Sequence, residues 1–356
     1  MNLFNKDKKS ALEAKEMAQF IAFGPVVFQV ARIMRDAGIL TVIEEAGKQG
    51  LTHQEILQAV NLPDYGLRVL LESSLGIGLV IINNGKYSIT KTGHFTLHDP
   101  LTRINMDFIH DVNYKGLFHL EESIKTGKPE GLKELGGWNT IYEGLSQLPP
   151  HIQKSWFAFD HFFSDNSFPL VLPLVYGQKI NKLMDIGGNT GKWAIASSLY
   201  DKNVRITIVD LPGQVTMAKS RIADLGLADR VSFFPVNLLD KTQPLPKGHD
   251  AIWMSQFLDC FSEAEITSII ERCYEALEPG GTMFILEAFW DRQRFEAAAF
   301  CLQQTSIYFT ALANGNSQMY DSRIFIDAVK AGGFEIYEDI DGIGLSHTLL
   351  KCRKKS

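Results

Sequence analysis

The stretch that most constrains this chain is Lys182-Leu183-Met184-Asp185-Ile186-Gly187-Gly188-Asn189-Thr190-Gly191, which runs on into the apolar segment Lys192 to Leu199. A short apolar run ends in an acid, passes through glycines and enters a segment of helical character. That order predicts a strand, a tight turn and a helix start. Residues without a Cβ tolerate positive φ and let backbone approach a ligand closely. Further on, Val204 to Asp210 is a second β-branched run that ends in an acid. At that separation the acid stands where a doubly wound sheet holds a ribose hydroxyl pair. The combination points to a nucleoside site. Plainer readings exist for both acids: Asp185 as a cap on its own turn, Asp210 as the start of Leu211-Pro212-Gly213. A dinucleotide site also uses a glycine turn and a distant acid.

From Asn181 onward strand and helix patterns alternate. Strands are predicted at Arg230 to Phe234, Asp250 to Met254, Thr282 to Glu287 and Glu335 to Ile340. Pro279-Gly280-Gly281 reads as the turn into the third of these, and Gly342-Ile343-Gly344 as the link to a last strand, Ser346 to Cys352. So short a link makes the final pair antiparallel on an otherwise parallel sheet.

The amino-terminal third differs. Helical spacing runs from Ala14 to Ala46, Thr52 and Glu55 form a capping-box pattern, and Leu67 to Leu75 is again helical. Asn83-Asn84-Gly85 then separates two short strands, which predicts a hairpin. Helix, helix, helix, hairpin is the order of a winged helix. Its recognition segment, Asp64 to Ser73, carries Arg68 as its one base, which favours a dimerisation or lid role over DNA binding. A net charge of −6 also argues against general nucleic-acid binding. Residues 100–178 are helical and aromatic, broken at Gly127-Lys128-Pro129 and Leu148-Pro149-Pro150, with Phe157 among the many Phe, Tyr and Trp side chains that read as core or as the lining of a pocket.

No run is apolar for long enough to span a membrane, and the polar start MNLFNKDKKSALEAKEM lacks the apolar core of a signal peptide. Cys260, Cys273, Cys301 and Cys352 show no metal-ligand or disulfide spacing, so no metal is expected and a reducing cytoplasm fits.

The motif order resembles the class I S-adenosylmethionine-dependent small-molecule O-methyltransferases, those related to plant caffeate and animal acetylserotonin enzymes. The resemblance rests on Asp185 to Gly191, Val209-Asp210-Leu211-Pro212 and Glu275 to Gly281, and extends over nearly the whole chain. It implies a seven-stranded Rossmann-like domain with an antiparallel last strand at 179–356. It further implies a winged-helix dimerisation domain at 1–104, a helical linker and substrate lid at 105–178, and a homodimer whose amino-terminal domains help close the pocket. The cofactor implied is S-adenosylmethionine, leaving as S-adenosylhomocysteine. The residues implied to hold it are Asp185, Gly187, Gly188, Gly191, Asp210, Leu211, Asn237, Leu238 and Ser255. Asn237-Leu238 departs from the family's Asp followed by Met or Phe, and a turn-forming Asn fits there too.

The family's catalytic base is a His after the fourth strand, held by two Glu. Here the position is Asp259; Glu287 matches the first Glu and Met319 stands in place of the second. A carboxylate near ~3.9 is a poor base for a phenol near ~10, though burial beside another acid raises it. Three readings stay open. Asp259 is a weak base or an acceptor that positions the hydroxyl; or His161, His110 or Tyr308 has taken over; or the methyl goes to a ring carbon. By position, Phe157, Trp290, Tyr308 and Asn314 are further candidates for holding an aromatic acceptor. A relative that binds the cofactor without methylating (a sensor, decarboxylase or hydroxylase) is the reading from another class.

Overall fold

The computed structural model describes residues 4–355; Met1 to Leu3, the first residues of the polar amino-terminal stretch, and Ser356 lie outside. The chain divides into two compact units, Phe4–Ile109 and His110 onward.

In the first unit, α1 (Ala11–Ala22), α2 (Gly24–Asp36) and α3 (Ile39–Glu45) replace the single helical pattern, with Gly38 at φ 75° starting the third. Then come β1 (Leu51–Thr52), α4 (His53–Ala59), α5 (Asp64–Gly76), β2 (Val80–Asn83), β3 (Lys86–Ile89), α6 (Lys91–His98) and α7 (Pro100–Phe108). Thr52 accepts from the Glu55 amide while Glu55 reaches back, so the capping box starts α4 as the sequence predicts. Asn84 and Gly85 take φ 51° and 76°, the geometry of a tight hairpin turn, and β3 pairs with both β2 and β1. The core gathers Met34, Leu40, Ile43, Ile56, Leu67, Leu71 and Leu97. Arg68 is paired with Asp64 on its own helix.

In the second unit α8 (Leu120–Thr126), α9 (Ile141–Gly144) and the long α10 (Pro150–Val175) precede the sheet. The glycine and proline breaks fall where the sequence places them: Gly127 is left-handed after α8, and Pro149-Pro150 opens α10. The sheet follows with β4 (Lys182–Ile186), α11 (Lys192–Tyr200), β5 (Arg205–Asp210), α12 (Pro212–Asp224), β6 (Val231–Pro235), β7 (His249–Ser255) and α13 (Glu263–Ala276). It ends with β8 (Leu277–Ala288), α14 (Glu296–Tyr308), α15 (Ser322–Ala331), β9 (Phe334–Ile343) and β10 (His347–Lys354).

The strand order is β6-β5-β4-β7-β8-β10-β9, and β10 alone runs against the others. The order reverses on either side of β4, so the carboxyl end of β4 is the switch point where such sheets open a crevice. Two expectations need correction. Pro279-Gly280-Gly281 lies inside β8, where the pairing with β7 slips between His249 and Ala251 and Gly280 at φ 78° absorbs the irregularity. Gly342-Ile343 belongs to β9, because Ile343 already pairs with His347; the link shrinks to Gly344-Leu345-Ser346. Among the described residues no single helix is long and apolar enough to cross a membrane. The pair α1 and α2, bent by 73°, passes such a test together by length and composition only.

Candidate active site

At the end of β4, Gly187 takes φ 73° and its amide donates to the Val209 carbonyl at 2.9 Å, which ties the turn to β5. A Cβ on Gly187 would lie 2.2 Å from the Phe257 ring, and one on Gly188 2.9 Å from Asp185 Oδ2. Asn189 is left-handed at φ 48°, and Gly191 at φ 79° leads into α11. The turn is thus held by backbone that side chains would obstruct. Asp210 accepts from the Asn189 amide at 2.8 Å and the Leu211 amide at 2.7 Å.

Burial, and then Asp210, hold the Asp185 carboxyl well above the usual range, and burial pushes Asp210 to about 6 against those two amides. Asp185 Oδ2, Asn189 Oδ1 and Ser255 Oγ are buried without a hydrogen-bond partner. Unmet acceptors on a glycine turn at a switch point call for a ligand that brings donors or positive charge.

The second half of the site starts where β7 ends. Gln256 takes φ 48°, costly backbone for a residue with a side chain. Glu287, only 1% exposed on β8, accepts through Oε1 from the amides of Phe257 (3.0 Å) and Leu258 (2.9 Å). Those bonds hold the short helical turn Leu258–Cys260 and place Asp259, itself 7% exposed. Burial raises Asp259 to about 6; burial and then Asp259 raise Glu287 well above its ordinary value. Two carboxyls so close in a dry site do not both ionise.

Asp160, on α10, completes the group. Its Oδ2 accepts from Asn189 Nδ2 at 3.2 Å, and its carboxyl is pushed to about 7 by burial and then by Asp259. It therefore stands between the glycine turn and Asp259. One helical turn earlier, Trp156 Nε1 donates to the Tyr308 hydroxyl at 2.7 Å. Asn314 Nδ2 donates to the Cys260 carbonyl at 2.5 Å, and the Cys260 thiol faces the Tyr142 hydroxyl. Aromatic side chains from α9, α10 and α14 thus meet the acid-bearing turn.

The structure brings together Asp185, Gly187, Gly188, Asp210 and Leu211 on one side, and Asp259, Glu287, Tyr308 and Asn314 on the other. His161 lies beside Asp160 at 3.8 Å, stacks on Phe157 at 5.4 Å, and is pushed down to about 4 chiefly by burial. Elsewhere, His110 is engaged with Asp111 at 2.8 Å, which also accepts from Ser155. Trp290 sits on a turn whose Asp291 holds Ser322 and whose Arg292 pairs with Asp339, toward the β9 edge. Asn237 turns its Oδ1 onto the Leu239 amide at 2.9 Å, the turn-forming geometry, while Leu238 packs in the core. Met319 is buried, and its amide donates to Ser306 Oγ. Sequence reading missed Asp160, though a lone acid inside the aromatic run Trp156 to Phe163 was a signal.

Two family models match: a Dimerisation2-like domain at residues 15–87 and an O-methyltransferase domain at 170–335. The 3-hydroxy-5-methyl-1-naphthoate 3-O-methyltransferase of Streptomyces sahachiroi is 33% identical over 240 residues, 67% of each chain. The L-tyrosine C(3)-methyltransferase of Streptomyces lavendulae is 23% identical over 339 residues, 94% of this chain and 90% of the other. The crystal structure of the S-adenosylmethionine-dependent methyltransferase SibL in its apo form superposes with a TM-score of 0.71 at 23% identity, covering 96% of this chain and 99% of that one. With the strand order and the glycine turn, these matches establish that the chain belongs to the O-methyltransferase family, as an enzyme that uses S-adenosylmethionine.

Proposed function

We propose that the chain methylates a hydroxyl of a small aromatic acceptor held against Asp259. The observation that carries this is the buried Asp259–Glu287 pair, set beside the glycine turn and faced by Trp156 and Tyr308. A naphthoate O-methyltransferase at 33% identity supports the aromatic acceptor.

The cofactor-side residues fit the donor. The unmet acceptors of Asp185, Asn189 and Ser255 suit its ammonium and hydroxyl groups, and Asp210 stands at the ribose position. Gly187, Gly188 and Gly191 leave room for it. Leu211 supplies apolar contact, and Asn237, its Oδ1 taken by the Leu239 amide, keeps only its side-chain N–H for the adenine. Bound S-adenosylmethionine supplies an electrophilic methyl and leaves as S-adenosylhomocysteine, a neutral thioether that needs no acid. The protein's task is alignment, worth up to ~7–11 kcal/mol, together with help for the acceptor's proton.

Asp259 near 6 lies about four units below a phenol near ~10, so it does not ionise the acceptor beforehand. It accepts the proton as the oxygen–methyl bond forms, help of the order of ~10²–10⁴-fold. Glu287 holds the turn that aims Asp259, and Asp160 supports the charge between donor and acceptor. Phe157, His161 and Asn314 line the acceptor side, with α8, α9 and α10, inside the expected lid 105–178, as its cover.

A weak carboxyl base is also what favours a second reading, in which Asp259 anchors the hydroxyl and the methyl goes to the neighbouring ring carbon. The tyrosine C-methyltransferase matched over nearly the whole chain supports it. Incubation with methyl-labelled cofactor and a panel of phenols, catechols, hydroxynaphthoates and L-tyrosine decides. Label on oxygen supports the first reading and label on carbon the second; cofactor binding with no label in any acceptor opposes both.

The enzyme acts as a homodimer through its first unit, Phe4–Ile109, which carries the dimerisation domain expected at 1–104. No residue of α1 is buried, and Leu12, Met17, Phe20 and Ile21 on it, with Phe23 and Val26 beyond, are exposed apolar groups that a second copy would cover. A Phe20→Asp, Ile21→Asp variant that stays dimeric by light scattering would refute this. A reducing cytoplasm suits the four free cysteines.

A further inference from the structure

We propose that Glu44, His94 and His98 form a binding site for a zinc-class divalent cation on the surface of the first unit. Among the described residues, these three are the one group of His, Cys, Asp or Glu donors close enough together to hold an ion. His94 and His98 are four apart on α6, so both rings project from one face of the helix. Glu44, at the end of α3, divides its carboxylate between them: Oε1 meets His94 Nδ1 at 2.6 Å and Oε2 meets His98 Nε2. The two rings lie 4.8 Å apart, centroid to centroid.

The scaffold beneath is firm. Ile43 and Leu40 of α3 and Leu97 of α6 are core residues, and Thr90 caps α6 by accepting from the Gly93 amide. Gly93 packs so closely on the residue before β2 that a Cβ would come within 2.2 Å of the Leu79 carbonyl oxygen. The two His side chains above are half exposed, 51% each, and Glu44 is exposed to 25%, leaving an approach from water and room for a fourth ligand.

The donor set selects the metal. Two imidazoles and one carboxylate suit zinc, and magnesium and calcium, which want oxygen, poorly. Bonds of about 2.0–2.2 Å to a tetrahedral zinc put donor atoms roughly 3.3–3.5 Å apart. The three donors already lie within 4.8 Å of one another, so side-chain rotation alone closes the set. Without metal, imidazole protons bridge to the carboxylate; the cation takes their place.

Zinc chloride titrated into the full-length protein by calorimetry tests this. The expected result is saturable binding of one ion per chain, weakened at least ~tenfold by each of Glu44→Gln, His94→Ala and His98→Ala. Magnesium should give no heat at equal concentration. Cobalt in place of zinc should give the visible absorption of a tetrahedral ion, lost in the His94→Ala, His98→Ala double variant. If one variant fails to fold by circular dichroism, the other two read the same site. No saturable binding, or binding unchanged in the double variant, overturns the proposal.

Discussion

The two halves of the active site are built in different ways. On the cofactor side, the glycine turn and Asp210 come from two consecutive strands and are tied directly across them: the Gly187 amide to the Val209 carbonyl, and the Asn189 and Leu211 amides to the Asp210 carboxylate. On the acceptor side, Asp160, Asp259, Glu287 and Tyr308 come from four elements spread over 149 residues, and bonds between distant elements do the holding, the Phe257 amide to Glu287 and Trp156 to Tyr308. At Gly187 and Gly188 the turn leaves no room for a Cβ. Side-chain chemistry at the acid cluster can change while the scaffold stays, and in the proposed site the Asp259 carboxyl stands where the family resemblance implies an imidazole.

The sharpest way to break that contrast is Gly187→Val. The branched side chain meets both the Phe257 ring and a positive φ, so cofactor binding measured by calorimetry should fall by more than ~10²-fold. Retained binding would mean the turn is softer than its geometry implies. On the other side, Asp259→Asn should lower turnover about ~10²-fold and shift cofactor affinity less than twofold. In the wild type turnover should rise as pH passes up through about 6, where Asp259 ionises, and the variant should lose that rise. Loss of cofactor affinity instead would move Asp259 to the other half of the site.

Asp160→Asn reads the joint between the halves. Burial and Asp259 raise the folded-state pKa of Asp160 from 3.8 to about 7, so the folded protein holds this proton more tightly than the unfolded chain. The cofactor-free protein therefore loses stability as pH climbs from about 4 to 7, and is least stable above that window. The Asn variant should melt ~2–4 °C higher than wild type at pH 8 and show little difference at pH 4. An equal difference at both pH values would assign the effect to packing. Smallest of all, Trp156→Phe removes one buried donor from Tyr308 and should cost ~1 kcal/mol by denaturant titration, with cofactor affinity unchanged.

Much of the scaffold was legible because it is encoded locally. Thr52 with Glu55, Asn84-Gly85, Gly127, Pro149-Pro150 and Asp185 to Gly191 each state a backbone geometry within a few residues, and the structure shows those geometries. The errors were local too: Pro279-Gly280-Gly281 reads as a turn, yet Leu277 before it and Thr282 after it both pair with β7, which absorbs it into β8 as an irregularity. Of the acceptor side, sequence showed Asp259 and Glu287 at their motif positions. It offered His110 and His161 as alternative bases and Trp290 as an acceptor contact by position, with nothing to place any of them in space.

The sequence by itself determined the doubly wound sheet, its switch point after β4 and the acid that ends each of the first two strands of that sheet. Those features follow from φ restrictions and hydrophobic period, which act between near neighbours. Only the tertiary structure decided that Asp160 joins Asp259, that Glu287 spends one oxygen on the Phe257 and Leu258 amides, and that Asn237 closes its own turn. Those outcomes depend on which side chains share a dry volume, and burial and mutual repulsion among carboxyls exist only once the chain has closed around them.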